Sequence, residues 1–248
     1  MATYTIHPIV VGTKVFDKSM MTYQHGAGET YTIPIYSWYI KGGDKNILVD
    51  TGEISPIQSE AREKAIGGKI YTFEEGLKQF GLTPDTIDIV IHTHLHNDHC
   101  ENDFKCTNAK IYVHEQELKH IHNPHPLDFR YLEDFIQDAE DNGQLQVMTE
   151  DTEVLPGITC VHTPVHTEGG MSIAIETDKG KAIITGFCVI QENFDPPIAI
   201  RAMEMEVIPP GTLVNAIDAY DIMLKIKDMA DIIIPLHEPK FAAIHSIP

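Results

Sequence analysis

The sequence predicts an α/β fold for the whole chain. Apolar runs rich in β-branched residues, which are typical of buried strands, occur in both halves, for example at 87–91 and 231–234. Segments with helix caps or helical spacing lie between them. The 248 residues contain no low-complexity linker and no short repeat, and 42% of them are hydrophobic. Residues 1–248 are therefore expected to form a single domain with a sizeable core.

The first half alternates predicted strands and helices. Residues 31–40 form a strand that turns at 42–44 and returns over 46–49. Residues 55–66 are predicted to be helical, and a capping box at 72–75 starts a helix that ends before Gly81. Buried strands follow at 87–91 and 110–113. Two further helices are predicted at 114–122 and 128–141, on either side of Asn123-Pro124-His125-Pro126.

The second half repeats this mixture. A strand is predicted to pass through Cys160, and strands at 171–177 and 181–185 follow a loop at 162–170. Residues 212–228 have apolar side chains at helical spacing, which predicts a helix. A final Ile-rich strand covers 231–234. The sequence therefore places short polar segments directly after several core strands.

The chain is strongly acidic, with 37 acidic and 18 basic residues and a formal net charge of −19. Such a surface repels nucleic-acid backbones and anionic lipid heads, so we expect a small-molecule substrate and neither a nucleic-acid nor a membrane partner. No signal peptide or membrane-length apolar run is evident. The four cysteines are too scattered for a disulfide framework, which favours the cytoplasm. The oligomeric state is open, with a homodimer as one alternative.

Metal-ligand chemistry is concentrated in the segment that follows the strand at 87–91. This segment holds His94, His96, Asp98 and His99 within six residues. Imidazole and carboxylate groups together suit zinc, iron, manganese or cobalt. His94 and His96 are two apart and can point into one space, whereas Asp98 and His99 are adjacent and point elsewhere. The four side chains can therefore serve two metal positions.

Three later segments offer further ligands after predicted strands. His166 lies in Thr-Pro-Val-His-Thr-Glu-Gly, Cys188 ends Thr-Gly-Phe-Cys, and His237 follows Pro-Leu at the end of the Ile-rich strand. A single histidine after a strand is usually structural. Their order after the four-ligand segment makes a shared metal site the better interpretation.

The pattern His94-x-His96-x-Asp98-His99 resembles the HxHxDH motif of the metallo-β-lactamase fold hydrolases, and the segment around His166 is similar to the family's TPGHTPG. The resemblance implies a four-layer αββα sandwich with metals between its sheets. It also implies two divalent transition-metal ions, zinc first, with iron or manganese as alternatives. The first ion would be held by His94, His96 and His166. The second would be held by Asp98, His99 and His237.

Within this family the chain is most similar to the N-acyl-homoserine lactonases, as its length and its short N-terminal hairpin indicate. Glu192-Asn193-Phe194 also supports this, because it follows the Gly186–Cys188 segment, which the resemblance implies supplies a ligand bridging the two ions. The resemblance implies that a metal-bound hydroxide opens a lactone ring, with Asp98 as the catalytic residue that carries a proton to the leaving alkoxide. The alternatives are another ester, thioester, β-lactam or phosphodiester substrate, an iron-dependent oxidoreductase on the same fold, or a non-catalytic metal-containing binder.

The ligand that bridges the two ions is the main departure from the family pattern. Phe187 occupies the position of the usual aspartate and cannot coordinate, whereas Cys188 follows it. Some metallo-β-lactamases place a cysteine ligand in the corresponding segment, so Cys188 is predicted to bind metal. The alternative is a small buried hydrophobic residue. Glu168 and Glu101, which flank metal segments, are rival sources of the missing carboxylate.

Other positions allow two interpretations. Asp50 can orient a metal ligand or simply form a turn. The lactonases commonly place a tyrosine shortly after the bridging aspartate, and Tyr131 is a conceivable replacement, although helix core is the first expectation for it. His120, His122 and His125 are expected to form an exposed connector rather than a further site. The family's small residues after His99 are replaced here by Cys100-Glu101-Asn102.

Overall fold

Two facing β-sheets form the centre of the molecule in the computed structural model, which describes residues 3–248. The first sheet has six strands, in the spatial order β1 (Thr5–Asp17), β2 (Thr30–Lys41), β3 (Ile47–Val49), β4 (Ile89–Ile91), β5 (Lys110–His114) and β6 (Leu145–Met148). β1 to β3 pair antiparallel, and β3 to β6 pair parallel. The second sheet has five strands, in the order β11 (Ile232–Ile234), β10 (Gly180–Ile184), β9 (Met171–Thr177), β8 (Ile158–His162) and β7 (Thr152–Leu155).

Helices flank the two sheets. They are α1 (Glu60–Ile66), α2 (Phe73–Lys78), α3 (Asn97–Cys100), α4 (Glu115–His122), α5 (Gln137–Asp141), α6 (Gln191–Phe194), α7 (Ile198–Arg201) and α8 (Ala216–Met229). Single 3-10 turns occur at Lys18–Met20, Pro84–Thr86, Asp103–Lys105, Glu133–Phe135 and Pro239–Ala243. No helix in residues 3–248 has the length and apolar character needed to cross a membrane.

Three apolar clusters hold together four layers, which are two sheets with helices packed on each side. The central cluster lies between the sheets, where side chains such as Trp38 and Ile91 of the first sheet meet Ile173 and Ile184 of the second. A second cluster joins the outer face of the first sheet to α2, α4 and α5, and a third joins the second sheet to α8. Burying both faces of each sheet removes most of the apolar surface from water. The α/β class and the αββα arrangement expected from the sequence are confirmed.

The helix predicted at 128–141 is the clearest difference from the sequence expectation. Only Gln137–Asp141 is α-helical, and residues 128–132 follow an irregular path. The backbone carbonyl of Arg130 accepts a hydrogen bond from the amide of Asn97 at 2.9 Å, which holds this segment against α3. Phe129 is 83% exposed and is therefore not part of a helix core. Tertiary contacts outweigh helical spacing here.

Other boundaries shift by a few residues for local reasons. The predicted helix at 55–66 begins at Glu60, because the side chain of Ser59 caps it. The predicted helix at 212–228 begins at Ala216, where Asn215 accepts hydrogen bonds from two backbone amides. The capping box at Thr72 and Glu75 is present. The sequence expectation did not include the strands β1, β6 and β7.

Candidate metal centre

The predicted ligands meet at one end of the two sheets. His94 follows β4 of the first sheet, and His166 lies in the loop between β8 and β9 of the second. Cys188 and His237 follow β10 and β11, which are parallel neighbours and so end at the same edge. The order of these strands, rather than their distance in sequence, brings the polar segments together.

His94, His96 and His166 form a compact triad. One ligand atom from each lies within 4.8 Å of the others, and all three residues are buried. The rings of His94 and His96 are 4.6 Å apart at nearly a right angle, and His166 lies at similar distances from both. Small side-chain shifts would bring three nitrogens to the roughly 2.0–2.1 Å at which histidine binds zinc.

Five histidines of the centre each use one ring nitrogen to donate a hydrogen bond to another protein group. The pairs are His94 Nδ1 with Thr93 Oγ1 (3.0 Å), His96 Nε2 with Asp128 Oδ2 (3.1 Å), His99 Nδ1 with Asp50 Oδ2 (2.8 Å), His166 Nδ1 with the Thr212 carbonyl (2.8 Å) and His237 Nδ1 with the Pro34 carbonyl (3.0 Å). This leaves the other nitrogen of each ring as the candidate ligand atom, and in His166 that atom, Nε2, also lies 3.4 Å from Arg130 Nη1. Such outer hydrogen bonds are typical of metal-binding histidines.

Burial controls the charge of the triad. Burial lowers the pKa of His94, His96 and His166, and the neighbouring imidazoles lower the pKa of His94 and His166 further. Burial also lowers the pKa of His237 to about 4. These four rings are therefore neutral at pH 7, which is the state that binds a metal ion. The donor set fits a transition-metal ion.

The ligands predicted for the second ion, Asp98, His99 and His237, lie beside the triad. The His99 ring is 4.2 Å from that of His94 and 5.4 Å from that of His237. Burial raises the pKa of Asp98, but the charges of His99 and Lys14 outweigh this effect and hold that pKa below its usual value. Asp98 is consequently an anion at neutral pH, which suits a metal ligand.

A buried network behind His99 includes residues that sequence reasoning missed. His92 lies between two carboxylates, with Nε2 2.7 Å from Asp103 Oδ2 and Nδ1 3.4 Å from Asp50 Oδ1. Burial opposes protonation of His92, but Asp103 and Asp50 raise its pKa to about 10. Asp50 also accepts hydrogen bonds from the amide and hydroxyl of Thr93. The turn residue Asp50 therefore orients His99, as one sequence interpretation proposed.

The residues Cys100-Glu101-Asn102, which replace the family's small residues after His99, have a structural role. The Cys100 thiol points at the carbonyls of Leu95 and His96, 3.7 and 3.6 Å away. The Asn102 amide donates to the carbonyls of Thr51, Gly52 and Glu53, which ties the segment after β3 to the metal segment. These contacts hold the loop where the family has small residues.

The segment 128–131 covers the triad. Asp128 accepts a hydrogen bond from His96. It also accepts two hydrogen bonds from Arg130, at 2.7 and 2.9 Å. The remaining Arg130 nitrogen, Nη1, lies 3.4 Å from His166 Nε2. The Tyr131 ring packs on the His96 ring, with centroids 4.7 Å apart. Sequence reasoning missed Asp128 and Arg130, because a predicted helix would not direct these side chains to one point.

Two cavities meet at this segment. One, of about 370 Å³, extends along His166, Thr167 and Leu213. The other, of about 520 Å³, is lined mainly by apolar side chains and also contains Asp98 and Lys14. Arg130, Leu127 and Thr212 border both. The centre is thus open to a small molecule on two sides of the Arg130 side chain.

Cys188 lies in an apolar environment close to this centre. It is 7% exposed, and its Sγ is 3.3 Å from Met21 Sδ, in a cluster with Ile33, Ile35 and Ile190. Burial, with a smaller contribution from the charge of Asp98, raises the pKa of its thiol to about 12. Glu101, one rival, accepts hydrogen bonds from the Ile54 amide and the Asn97 side chain.

The other candidates from the sequence are placed as follows. Glu168 is more than half exposed and contacts His120, 3.1 Å away. His122 contacts two glutamates at the surface, and His125 lies on the edge of the smaller cavity. The Tyr131 hydroxyl donates to Glu117 at 3.0 Å, so it is not available as a replacement for the family's tyrosine donor.

Cys188 remains a predicted metal ligand, and cobalt substitution tests it. If the thiolate binds, the cobalt-loaded protein should show sulfur-to-metal charge-transfer absorption in the near ultraviolet, because the ion would hold the sulfur deprotonated despite its raised pKa. The band should be absent in Cys188→Ser and present in Cys160→Ser, a control at a buried cysteine between the sheets. Cobalt in both positions without the band would make Cys188 a core residue.

Comparison with known proteins agrees with this geometry. The family model described as metallo-beta-lactamase superfamily matches residues 31–186, more than half of the chain. An N-acyl homoserine lactonase from a Bacillus species is 27% identical over 224 residues, which cover 84% of this chain and 85% of the relative. The N-acyl homoserine lactonase AiiB of Agrobacterium fabrum is 25% identical over 207 residues, covering 76% and 75%.

Solved structures show the same fold. An N-acyl homoserine lactone hydrolase with the product N-hexanoyl-L-homoserine at its catalytic metal centre has a TM-score of 0.72, with 23% identity and coverage of 96% of this chain and 94% of that one. The dizinc quorum-quenching lactonase AidC has a TM-score of 0.66, with 14% identity and coverage of 99% and 92%.

Proposed function

The chain belongs to the metallo-beta-lactamase superfamily, and from that premise we propose that it is a metal-dependent hydrolase that opens the ring of an N-acyl-homoserine lactone. The resemblance inferred from its motifs is confirmed at the level of the family. The lactone is proposed because the relatives that cover most of the chain carry that activity in their names. The observation that supports a hydrolytic site most directly is the buried triad of neutral histidines.

The chemistry requires an electrophilic centre and activated water. Two divalent ions, when bound, would polarise a carbonyl group and lower the pKa of water towards about 7. His94, His96 and His166 are the proposed ligands of the first ion. Asp98, His99 and His237, with Cys188 as the bridging candidate, are proposed for the second. Zinc is the proposed metal, and the dizinc neighbour supports it.

Residues of the chain would then orient the lactone and move protons. Asp98 is ionised at neutral pH and borders the larger cavity, so it is the proposed carrier of the proton that reaches the leaving alkoxide. Arg130 is the proposed donor to the lactone carbonyl oxygen. Its Nε and Nη2 are engaged by Asp128, whereas Nη1 faces the centre. The carboxylate of Asp128 compensates the charge of Arg130 next to the proposed metal positions.

The larger cavity suits an acyl chain. Its apolar lining includes Phe16, Met20, Leu127, Phe129 and Leu132, and its volume is about 520 Å³. An N-acyl chain of moderate length would bury its methylene groups there, at about 0.8 kcal/mol for each buried group. The amide and the lactone ring would then lie near Arg130 and Asp98.

A turnover screen on metal-loaded protein tests the proposed function. N-acyl-homoserine lactones of several chain lengths, unrelated lactones, thioesters and phosphodiesters would be compared by release of acid or thiol. We expect hydrolysis of the homoserine lactones and two metal ions per chain by elemental analysis. Turnover of a thioester or phosphodiester with no lactone hydrolysis would replace the proposed substrate. A protein that gains no metal when supplied with zinc, manganese or iron would contradict the metal centre.

Arg130→Ala is expected to reduce kcat/KM for the lactone by about 10²-fold, the usual effect of removing one donor to a developing oxyanion. Arg130→Lys should restore little, because lysine cannot contact Asp128 in the same forked geometry. Arg201→Ala is the matched control. It makes the same change at an exposed arginine, whose Nη1 is 3.5 Å from Asp195 and which lines neither cavity. Unchanged kcat/KM in Arg130→Ala with full metal content would remove Arg130 from the mechanism.

Location, domain organisation and partners remain proposals. The cytoplasm is supported by cysteines that are buried and unpaired at all four positions in residues 3–248. A single domain over 1–248 is supported by the core shared between the two sheets. The acidic surface supports a small-molecule substrate and argues against nucleic-acid and membrane partners, and a homodimer is one alternative for the assembly.

A further inference from the structure

Glu117 is a buried carboxylate directly behind the histidine triad. It belongs to the first turn of α4 and is 1% exposed. None of the ion pairs in residues 3–248 includes it. Burying an anion without a cationic partner is unfavourable unless several donors replace its lost water. The position of this side chain therefore needs an explanation beyond packing.

Three donors from three separate segments surround the carboxylate. Oε2 accepts hydrogen bonds from the Leu95 amide at 2.8 Å and from the Tyr131 hydroxyl at 3.0 Å. Oε1 accepts a hydrogen bond from the Gly169 amide at 3.1 Å. The amino-terminal turn of α4 adds a favourable electrostatic environment for a negative charge. The anion is thus fully satisfied by groups of the protein.

Two of these segments carry the triad, and the third packs against it. Leu95 stands between His94 and His96, and Gly169 lies three residues after His166. The Tyr131 ring packs against the ring of His96. We propose that Glu117 is a positioning residue that sets the spacing of His94, His96 and His166 and thereby the affinity of the first metal position. This inference rests on the metal centre proposed above, and not on the identity of the substrate.

The loop after His166 is shaped to meet Glu117. A Cβ atom at Gly169 would lie 2.7 Å from Glu117 Oε1 and 2.8 Å from the Glu117 amide nitrogen. Any larger residue would push the loop away from the carboxylate. The glycine and the glutamate therefore form a matched pair, in which close approach of the backbone allows the hydrogen bond that holds the His166 loop.

Only a carboxylate can accept from all three donors in this arrangement. A glutamine has one acceptor oxygen, and its amide nitrogen would face a donor that it cannot satisfy. If the oxygen stays with Leu95 and Tyr131, the Gly169 contact becomes repulsive, and the opposite orientation loses the other two. Glu117→Gln keeps the size of the side chain. It breaks the link between the segment that holds His94 and His96 and the loop that holds His166.

The test measures metal affinity by competition with a chromophoric chelator. For Glu117→Gln we expect about 10- to 100-fold weaker binding of the first ion, which is the usual effect of losing an outer contact of a metal site. Binding of the second ion should change by less than about twofold. Tyr131→Phe removes one of the three donors and should weaken the first ion to a smaller extent. Far-ultraviolet circular dichroism and thermal unfolding of the metal-free proteins would establish that each variant is folded.

Asp88→Asn is the matched control, with the same chemical change at the other end of β4. Asp88 accepts hydrogen bonds from the Asn46 amide and the Lys45 ammonium group, both at 2.9 Å. It should leave both metal affinities unchanged. If Glu117→Gln does not fold, Gly169→Ala and Tyr131→Phe must show the selective weakening for the proposal to stand.

Two results would overturn the proposal. Glu117→Gln with the affinities of the unmodified protein would show that the carboxylate does not set the site. Equal weakening of both ions would show a general loss of structure instead of positioning. Absence of metal binding in the unmodified protein is a different failure, because it would contradict the proposed function itself.

Discussion

Replacing His96 with alanine is expected to remove the first metal ion and to reduce lactone hydrolysis by at least about 10³-fold. A metal ion supplies several kcal/mol of stabilisation to the transition state, and each roughly 1.4 kcal/mol corresponds to a factor of ten in rate. His96 is buried, and its Nε2 is already engaged by Asp128, so its Nδ1 is the nitrogen that remains for a ligand. Loss of this ring leaves His94 and His166 without a third donor.

Elemental analysis and steady-state kinetics on the same preparations would measure this effect. His122→Ala is the control, since His122 contacts Glu133 and Glu140 at the surface and does not belong to the triad. It should retain two ions and full turnover. Full turnover in His96→Ala, or loss of activity with metal content unchanged, would contradict the assignment of His96 as a ligand.

Replacing Asp98 with asparagine is expected to lower kcat by about 10²- to 10⁴-fold, the range typical of general acid–base residues, with a change in KM of only a few fold. The carboxylate is ionised because the nearby charges of His99 and Lys14 outweigh its burial. Asparagine is similar in size but can neither carry the proton nor act as an anionic ligand. The loss should therefore appear in turnover more than in substrate binding.

The two roles of Asp98 can be separated experimentally. Turnover would be expressed per bound ion, at saturating metal and over a range of pH. Asp98→Glu, which keeps the carboxylate, should recover part of the metal content and part of kcat. An increase in KM with unchanged kcat in Asp98→Asn would show that the residue only helps to bind the substrate.

Local sequence was sufficient for much of the framework of the site. The capping box at Thr72 and the run of β-branched residues at 87–91 act through contacts within a few residues, so their outcomes were predictable. The ligand types and their spacing after β4 are also properties of one short segment. Composition and periodicity indicate only a mixed α/β class. The four-layer arrangement of two sheets between helices came from the resemblance to a known family.

The segment 128–141 shows why other parts of the site were not predictable. Its apolar side chains have helical spacing, yet Asp128 and Arg130 lie outside any helix and turn towards His96 and His166. The surroundings of Cys188 were not predictable either. Its position in the sequence resembles that of a metal ligand, whereas its sulfur lies against Met21, which is 167 residues away along the chain. Neither arrangement can be deduced from neighbouring residues.

The sequence by itself determined which ligand-type residues are proposed for the metal centre and which strands they follow. Only the tertiary structure decided that Glu117 connects Leu95 and Gly169, which are 22 and 52 residues away from it along the chain. The physical reason is that strand and helix signals come from short-range backbone preferences. A buried carboxylate, in contrast, is stable only where donors from distant segments converge, and that convergence exists only after the sheets have packed.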